Sequence, residues 1–270
     1  MTEPSTLTLS ATPAPRGTAL VTGASDGIGR ATALALAAAG FDVVAVARRA
    51  AELQTLAAAV VAGGRRCDVV VADLGTTRGI DDVVAAIAAR DISVGVLAAG
   101  FGTSGPFLDA RLGDELAMLD VNCRATVALA HHLGGRLRAR GAGTLVLYSS
   151  LLAFQGVPGA AHYAATKAFV QSFAEGLGRE LAPAGVDVVS VAPGPVHTGF
   201  AARARLTMAQ ASTPDVVAAA TVRRILRGGG SRTIRPGFLA KFLEASLASL
   251  PRAGRVRVLQ QVMAGMRGPQ

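Results

Sequence analysis

The sequence predicts one large α/β domain built on a doubly wound parallel sheet. Short apolar runs alternate with helical patterns along most of the 270 residues, a glycine cluster follows the first apolar run, and 51% of the residues are hydrophobic, enough for one substantial core. Residues 17–236 are expected to form this domain, with 237–270 as its C-terminal helical extension. Residues 1–16 lack the basic start and apolar core of a signal peptide, so they are predicted to be a flexible tail.

The predicted elements alternate in chain order, as expected for a parallel sheet with helical crossovers. Seven strands are predicted at residues 18–22, 42–47, 67–71, 94–98, 144–148, 186–191 and 232–234. Helices are predicted at residues 30–39, 50–61, 80–89, 116–138, 164–177 and 214–226, with an amphipathic helical region from 238 that is broken at Pro251. Ligands of such sheets bind at the carboxyl ends of the strands, so the residues that follow each strand are the candidate site.

A glycine-rich turn, residues 23–29, joins the first strand to the first helix. Glycine lets the backbone approach a phosphate closely, and the start of the helix offers unpaired N–H groups and a positive dipole end. The turn therefore predicts dinucleotide binding, although glycine can also mark an ordinary turn. Its candidate cofactor-binding residues are Gly23, Ser25, Asp26, Ile28 and Gly29.

The second strand ends in Arg48 and Arg49, where a fold that prefers NAD usually carries an acid for the ribose hydroxyls. Arginine pairs with phosphate through two parallel hydrogen bonds, so this end favours the 2′-phosphate of NADP(H) over NAD(H). The alternative is a solvated turn before the second helix.

Three later strand ends add further candidate residues. Asp73 could bind the adenine edge, or it could cap the following helix in competition with Thr76 and Thr77. Ala99 and Gly100 are small enough to let a flat ring or a ribose approach the backbone. After the sixth strand, a turn stiffened by proline leaves backbone groups facing the crevice and places a hydroxyl at the next helix start; its residues are Pro193, Gly194, Val196 and Thr198.

Tyr163 and Lys167 are four residues apart in a predicted helix, so their side chains share one face. An ammonium at about 4 Å could lower the pKa of the phenol toward 7, which would suit acid/base chemistry. An ordinary amphipathic helix with an extended lysine is the alternative. Ser149 and Ser150 follow the fifth strand and supply hydroxyls nearby. Asn122 is expected to be buried, so its amide either ties two helices together or holds a water near the site.

Composition and charge exclude several classes of function. The net charge of +9 is spread over scattered arginines with no interleaved aromatic residues, so nucleic-acid binding is not predicted. No apolar stretch reaches the length of a membrane span, and no metal site is predicted. Basic clusters in the last quarter are expected to be solvated helix faces, with contact to anionic lipid or an acidic partner as the alternative. Cys67 and Cys123 fit free thiols in a reducing compartment, so a cytoplasmic location is expected.

From about residue 18 to residue 234, these motifs together resemble the short-chain dehydrogenase/reductase family, classical type. The motifs that match are Thr22-Gly23-x-x-x-Gly27-x-Gly29, Asp73, Asn122, Ser150, Tyr163-x-x-x-Lys167 and Pro193-Gly194-x-x-x-Thr198. The resemblance implies a Rossmann fold, and the family's spacing between serine and tyrosine selects Ser150 over Ser149. It also implies a homo-oligomer, a dimer or tetramer built from the long helices near Asn122 and Lys167.

The resemblance implies a role for each motif. Tyr163 exchanges a proton with the substrate oxygen, Ser150 binds that oxygen, Lys167 lowers the tyrosine pKa and bonds the nicotinamide ribose, and Asn122 holds a connecting water. The glycine turn cradles phosphate, Asp73 and Leu74 bind adenine, and Val196 and Thr198 lie on the nicotinamide and pyrophosphate side. One departure is Ala98, where the family usually has asparagine, and it predicts a less rigid sheet centre.

The resulting hypothesis is an NADP(H)-dependent oxidoreductase acting on a carbonyl or secondary alcohol. A non-catalytic NADP(H)-binding sensor is the alternative. An apolar small-molecule substrate is expected, because apolar residues fall on the predicted cleft loops, although each could equally be core: Phe101, Phe107, Leu151, Leu152, Phe154, Phe200 and Met208. Residues 199–213 show the loose pattern of a substrate lid.

Overall fold

The seven strands form one parallel sheet in the order β3-β2-β1-β4-β5-β6-β7. This computed structural model describes residues 16–199, 211–229, 232–237 and 250–266. Successive strands are added outward in one direction from β1 to β3 and in the other direction from β4 to β7. The order therefore reverses between β1 and β4, which are neighbours near the centre of the sheet. Ligands bind at such a reversal because the crossovers on the two sides diverge and leave a crevice. The predicted seven-stranded doubly wound sheet is confirmed.

The strands and helices follow the alternation expected from the sequence. The strands are β1 Thr18–Thr22, β2 Asp42–Ala47, β3 Cys67–Val71, β4 Ile92–Leu97, β5 Gly143–Tyr148, β6 Val186–Val191 and β7 Thr233–Ile234. The helices are α1 Gly27–Ala38, α2 Ala50–Ala62, α3 Thr77–Ile87, α4 Leu112–Leu119, α5 Ala125–Arg140, α6 Ala161–Leu181, α7 Pro214–Arg227 and α8 Arg252–Met266.

Both faces of the sheet are buried under helices. In β5 the side chains of Leu145 and Leu147 join the core beneath α5 and α6, whereas Val146 and Tyr148 join the core beneath α1 and α7. Alternate residues of a strand point to opposite faces, so a strand buried on both sides must be apolar throughout. This is why the strands are continuous apolar runs, and why polar groups concentrate where they end.

Helices α1, α3, α4 and α6 begin earlier than predicted, and in α1 and α3 a capping residue extends the first turn. The Asp26 carboxylate accepts a hydrogen bond from Gly27 N, so α1 begins at Gly27 rather than at residue 30. Thr76 caps α3 by accepting from Gly79 N at 3.0 Å. Thr76 therefore takes the capping role for which Asp73 was an alternative.

The long helix predicted at residues 116–138 is interrupted. Helix α4 ends at Leu119, a π-helical segment covers Asp120–Arg124, and α5 continues from Ala125. A π segment widens one turn of backbone and is frequent at functional sites. Asn122 and Cys123 lie within it and are buried.

Several expectations fall outside the described residues. They include the tail at residues 1–15, most of the predicted lid with Phe200 and Met208, and the start of the C-terminal helical region at residue 238. Both cysteines are free thiols, as predicted. Among the described helices, none is long and apolar enough to cross a bilayer.

Candidate active site

A cleft of about 610 Å³ opens at the carboxyl ends of the strands. The glycine turn, the ends of β2 to β6 and helix α8 all line it. Of the predicted site residues, the cleft brings together Gly23, Ser25, Asp26, Ile28, Gly29, Arg48, Arg49, Asp73, Leu74, Ala99, Gly100, Ser150, Tyr163, Lys167, Pro193, Gly194, Val196 and Thr198. Asn122 lies behind this surface rather than on it.

The glycine turn is packed so closely that side chains would not fit. A Cβ on Gly29 would lie 2.3 Å from the carbonyl oxygen of Gly23, and Gly23 itself has φ +68° against the backbone of Ala99. A Cβ on Gly27 would lie 2.9 Å from the Thr198 methyl group. The turn therefore presents bare backbone and the first N–H groups of α1 to the cleft, as a diphosphate requires.

The end of β2 contacts the glycine turn through Arg49. Its NH2 and Nε donate to Ser25 Oγ at 3.1 and 3.3 Å, and NH2 lies 3.6 Å from Asp26 Oδ2. Arg48 is exposed beside it and also lines the cleft. Two guanidinium groups thus stand at the corner where the predicted 2′-phosphate would lie.

The end of β4 is held by Thr22 rather than by a side chain of its own. Thr22 Oγ1 accepts hydrogen bonds from Ala98 N and Ala99 N, each at 3.0 Å. These two bonds satisfy the backbone beside Ala98, and the lower rigidity expected there stays a prediction. At Gly100, a Cβ would lie 2.9 Å from Asn122 Oδ1 and 3.3 Å from Lys167 Nζ. Glycine at this position lets the loop pass over both polar groups.

The two serines after β5 have different surroundings. Ser149 Oγ donates to the carbonyl of Lys167 at 3.0 Å, so its hydroxyl is used within the core. Ser150 begins a short 3₁₀ turn by accepting from Leu152 N at 3.1 Å, and its side chain also hydrogen-bonds Tyr163. Both serines line the cleft, but Ser150 is the one whose side chain bonds the phenol.

Tyr163 and Lys167 project from the same side of α6, as their spacing predicted. The Lys167 ammonium lies 5.9 Å from the centroid of the tyrosine ring and donates to the carbonyl of Tyr148 at 2.9 Å. Burial lowers the pKa of Lys167 to about 8, against a weak opposing effect of Cys123.

The tyrosine pKa moves in the direction opposite to the prediction. Burial raises the pKa of Tyr163 to about 12, and the hydrogen bond with Ser150 opposes this only in part. The expected lowering assumed an ammonium about 4 Å from the phenol in a polar medium, but Lys167 is bonded to a backbone carbonyl and desolvation dominates. In this arrangement the phenol is a protonated donor at neutral pH.

Asn122 connects two parts of the site. Its Nδ2 donates to the carbonyl of Phe101 at 2.9 Å and to Thr166 Oγ1 at 3.0 Å, and its Oδ1 accepts from Phe101 N at 3.1 Å. Of the two roles open for this amide, the structure shows the tie, which joins the loop after β4 to helix α6. The water-holding role stays a prediction.

Helix α8 forms a wall of the cleft that sequence reasoning missed. Its residues Val258, Leu259, Val262 and Met263 line the cleft, and Leu259 and Met263 pack into a cluster with Tyr163. The C-terminal region was expected only to be amphipathic with solvated basic faces. The apolar spacing of these four residues was the available signal, but nothing local indicates which surface they cover.

Comparison with known proteins agrees with this geometry. The family model described as short chain dehydrogenase matches residues 17–209. A very-long-chain 3-oxoacyl-CoA reductase of Phaeosphaeria nodorum is 31% identical over 228 residues, covering 82% of this chain and 67% of the relative. A 3-oxoacyl-[acyl-carrier-protein] reductase of Synechocystis sp. is 33% identical over 183 residues, covering 67% of this chain and 74% of the relative. The structure of a short-chain dehydrogenase from Sphingobium yanoikuyae in complex with NADPH superposes with a TM-score of 0.77 at 28% identity, covering 94% and 98% of the two chains.

Proposed function

Because the chain belongs to the short-chain dehydrogenase family, we propose that it is an NADP(H)-dependent oxidoreductase acting on the carbonyl or secondary alcohol of a small, mostly apolar substrate. Membership of the family makes it an oxidoreductase that uses a nicotinamide cofactor. One observation carries the finer proposal: the hydroxyls of Ser150 and Tyr163 and the ammonium of Lys167 share one cleft with the glycine turn.

The residues at the turn fit a dinucleotide, since Gly29 packs without a side chain against the backbone of Gly23 and the turn leads into the N-terminus of α1, where a phosphate can bind. When bound, NADP(H) supplies or accepts the hydride at the substrate carbon. Arg48 and Arg49 support a preference for NADP(H), because they place positive charge at the ribose end and no acid ends β2. The Sphingobium yanoikuyae relative was solved with NADPH.

In the reductive direction, Tyr163 donates its proton to the carbonyl oxygen as negative charge develops there. Ser150 donates a second hydrogen bond to the same oxygen as negative charge develops on it. Lys167 supplies positive charge behind the phenol. Burial keeps the phenol protonated at neutral pH, which is the form that a proton donor needs in the reductive direction.

The residues that line the cleft favour an apolar substrate. Leu151 and Leu152 border Ser150, Phe101 follows β4, and the apolar face of α8 lies against Tyr163. Such walls provide area for hydrophobic contact, while the polar groups fix the orientation of the carbonyl. Two of the relatives named above are 3-oxoacyl reductases, so apolar 3-oxo compounds are the first to test.

A homo-oligomer in the cytoplasm completes the proposal. Helix α4 exposes Leu112, Leu116 and Leu119 at helical spacing, and Val127 of α5 and Phe169 of α6 are exposed as well. Apolar side chains aligned on exposed helices favour a subunit interface. Light scattering should give a mass above that of one chain, and Leu116→Lys should shift the mass toward the monomer.

The function is tested by screening carbonyl compounds for turnover, with the absorbance of NADPH as the readout. Turnover with NADPH is expected on apolar ketones, with Tyr163→Phe slower by about 10²- to 10⁴-fold while nucleotide binding is retained. The second candidate, a non-catalytic NADP(H) sensor, predicts binding without turnover. A Tyr163→Phe protein with full activity would refute the proposed chemistry.

A further inference from the structure

Arg49 is held by two carboxylates at the corner between the glycine turn and β2. Its NH2 lies 3.6 Å from Asp26 Oδ2, and its NH1 lies 3.3 Å from Glu52 Oε1. Both pairs are about half exposed. Within the described parts of the chain, no ion pair joins the neighbouring Arg48 to an acid. One of the two guanidinium groups offered to a 2′-phosphate is therefore already engaged.

The two carboxylates differ in their freedom to move. Asp26 Oδ1 accepts a hydrogen bond from Gly27 N at 2.7 Å and caps α1. Its other oxygen lies against Gly199, where a Cβ would come within 2.6 Å of Oδ2. Rotating Asp26 away would thus break the cap. Glu52 lies in the exposed first turn of α2 on a longer, flexible side chain, and it can turn into solvent at little cost.

We propose that the Asp26 carboxylate competes with the 2′-phosphate of NADP(H) for Arg49, and so weakens the preference for NADP(H) over NAD(H). The proposal rests on the proposed function, which places that phosphate at Arg48 and Arg49. A phosphate that binds the guanidinium must either break the Asp26 cap of α1 or lie beside the like charge of the Asp26 carboxylate. Ser25 Oγ, which also bonds Arg49, is neutral and imposes no such penalty.

The opposite role for Asp26 would be to orient Arg49 for the phosphate. The two roles predict opposite signs for Asp26→Asn. Asparagine has nearly the same shape and is an equally good helix cap, so the variant removes the charge and leaves the turn in place. Glu52→Gln is the matched control, because it removes the carboxylate that can already move away.

The experiment measures binding of adenosine 2′,5′-bisphosphate and of 5′-AMP by titration calorimetry, with the full chain at low salt. Asp26→Asn is expected to bind the bisphosphate about two- to fivefold more tightly, as for the loss of one competing exposed ion pair, and to bind 5′-AMP equally well. Glu52→Gln should gain less affinity for the bisphosphate. The gain should shrink at high salt, and it should disappear in the Asp26→Asn, Arg49→Ala double variant.

Two results would overturn the inference, and they are distinguishable. If the wild-type protein binds the bisphosphate but Asp26→Asn binds it equally or more weakly, Asp26 does not compete and this inference alone is wrong. If neither the wild-type protein nor Asp26→Asn binds the bisphosphate more tightly than 5′-AMP, the proposed preference for NADP(H) is wrong as well. Neither result depends on finding a substrate or on turnover.

Discussion

Lys167 and Tyr148 are joined by a hydrogen bond of 2.9 Å from the lysine Nζ to the backbone carbonyl at the end of β5. The ammonium is thus buried against the central sheet and faces a carbonyl dipole rather than a carboxylate. A buried charge without an opposite charge costs free energy, which explains why the pKa of Lys167 falls to about 8.

This lowered pKa predicts how stability depends on pH. Between about pH 8 and about pH 10.5, the unfolded chain keeps a proton on the lysine that the folded chain has lost, so the free energy of unfolding rises with pH. Below about pH 8 both states are protonated and the full cost of the buried charge remains. The total rise should reach up to about 3 kcal/mol, measured by urea unfolding at several pH values.

Lys167→Met is the control for this pH dependence. Burial raises the pKa of Cys67 to about 11 and of Tyr163 to about 12, so these groups lower the stability as pH rises above 9 and 10. Their contributions are common to both proteins and cancel in the difference. The difference between wild type and Lys167→Met should therefore rise through this window, and a flat difference would contradict the lowered lysine pKa.

A second prediction separates the two adjacent serines. Ser150→Ala should slow turnover by about 10²- to 10³-fold, because it removes a donor to the substrate oxygen, and should cost about 1 kcal/mol of stability, because it also removes the acceptor for Leu152 N. Ser149→Ala should cost a similar amount of stability, about 1 kcal/mol, since its hydroxyl bonds the carbonyl of Lys167 in the core, but should keep turnover within a few-fold of wild type. Steady-state kinetics and urea unfolding of both variants test this, and equal losses of turnover would refute it.

The sequence predicted the strands and their ends well, because a strand buried on both faces must be apolar and the polar residues must follow it. It could not predict the π segment around Asn122, whose side chain bonds the loop after β4 and α6, because both partners are distant in the chain. The wall formed by Leu259 and Met263 was missed for a similar reason: residues far apart in the chain decide which surface α8 covers.

The sign of the Tyr163 pKa shift was wrong because spacing along a helix gives proximity but not solvation. Two residues four apart lie on one face of a helix whether that face is exposed to solvent or buried. Here burial raises the pKa of the phenol, and Lys167 turns to a backbone carbonyl instead of approaching closely. Desolvation depends on all the surrounding elements, including α8, and no local pattern reports it.

A third prediction concerns Thr22, which satisfies two partly buried N–H groups at the end of β4. Thr22→Val keeps the shape but leaves Ala98 N and Ala99 N without this acceptor, so stability should fall by about 2 to 4 kcal/mol in urea unfolding. Thr55→Val is the matched control, since Thr55 is exposed on α2 and bonds only its own helix at Ala51; its change should stay within about 0.5 kcal/mol. Similar losses in the two variants would show that the Thr22 bonds matter little.

The last prediction tests whether the glycine turn is shaped by backbone contact. In Gly29→Ala the new Cβ would lie 2.3 Å from the carbonyl oxygen of Gly23, and neither backbone segment can yield, because both are anchored by β1 and α1. The variant should lose at least about 2 kcal/mol of stability and should bind adenosine nucleotides much more weakly. Gly135→Ala on α5 is the control: nothing lies within 4 Å of its new Cβ, so helix propensity should raise the stability by about 0.5 to 1 kcal/mol and leave binding unchanged. Thermal unfolding with and without nucleotide measures both quantities, and a Gly29→Ala protein that still gained stability from nucleotide would show that the turn can open without losing its ligand.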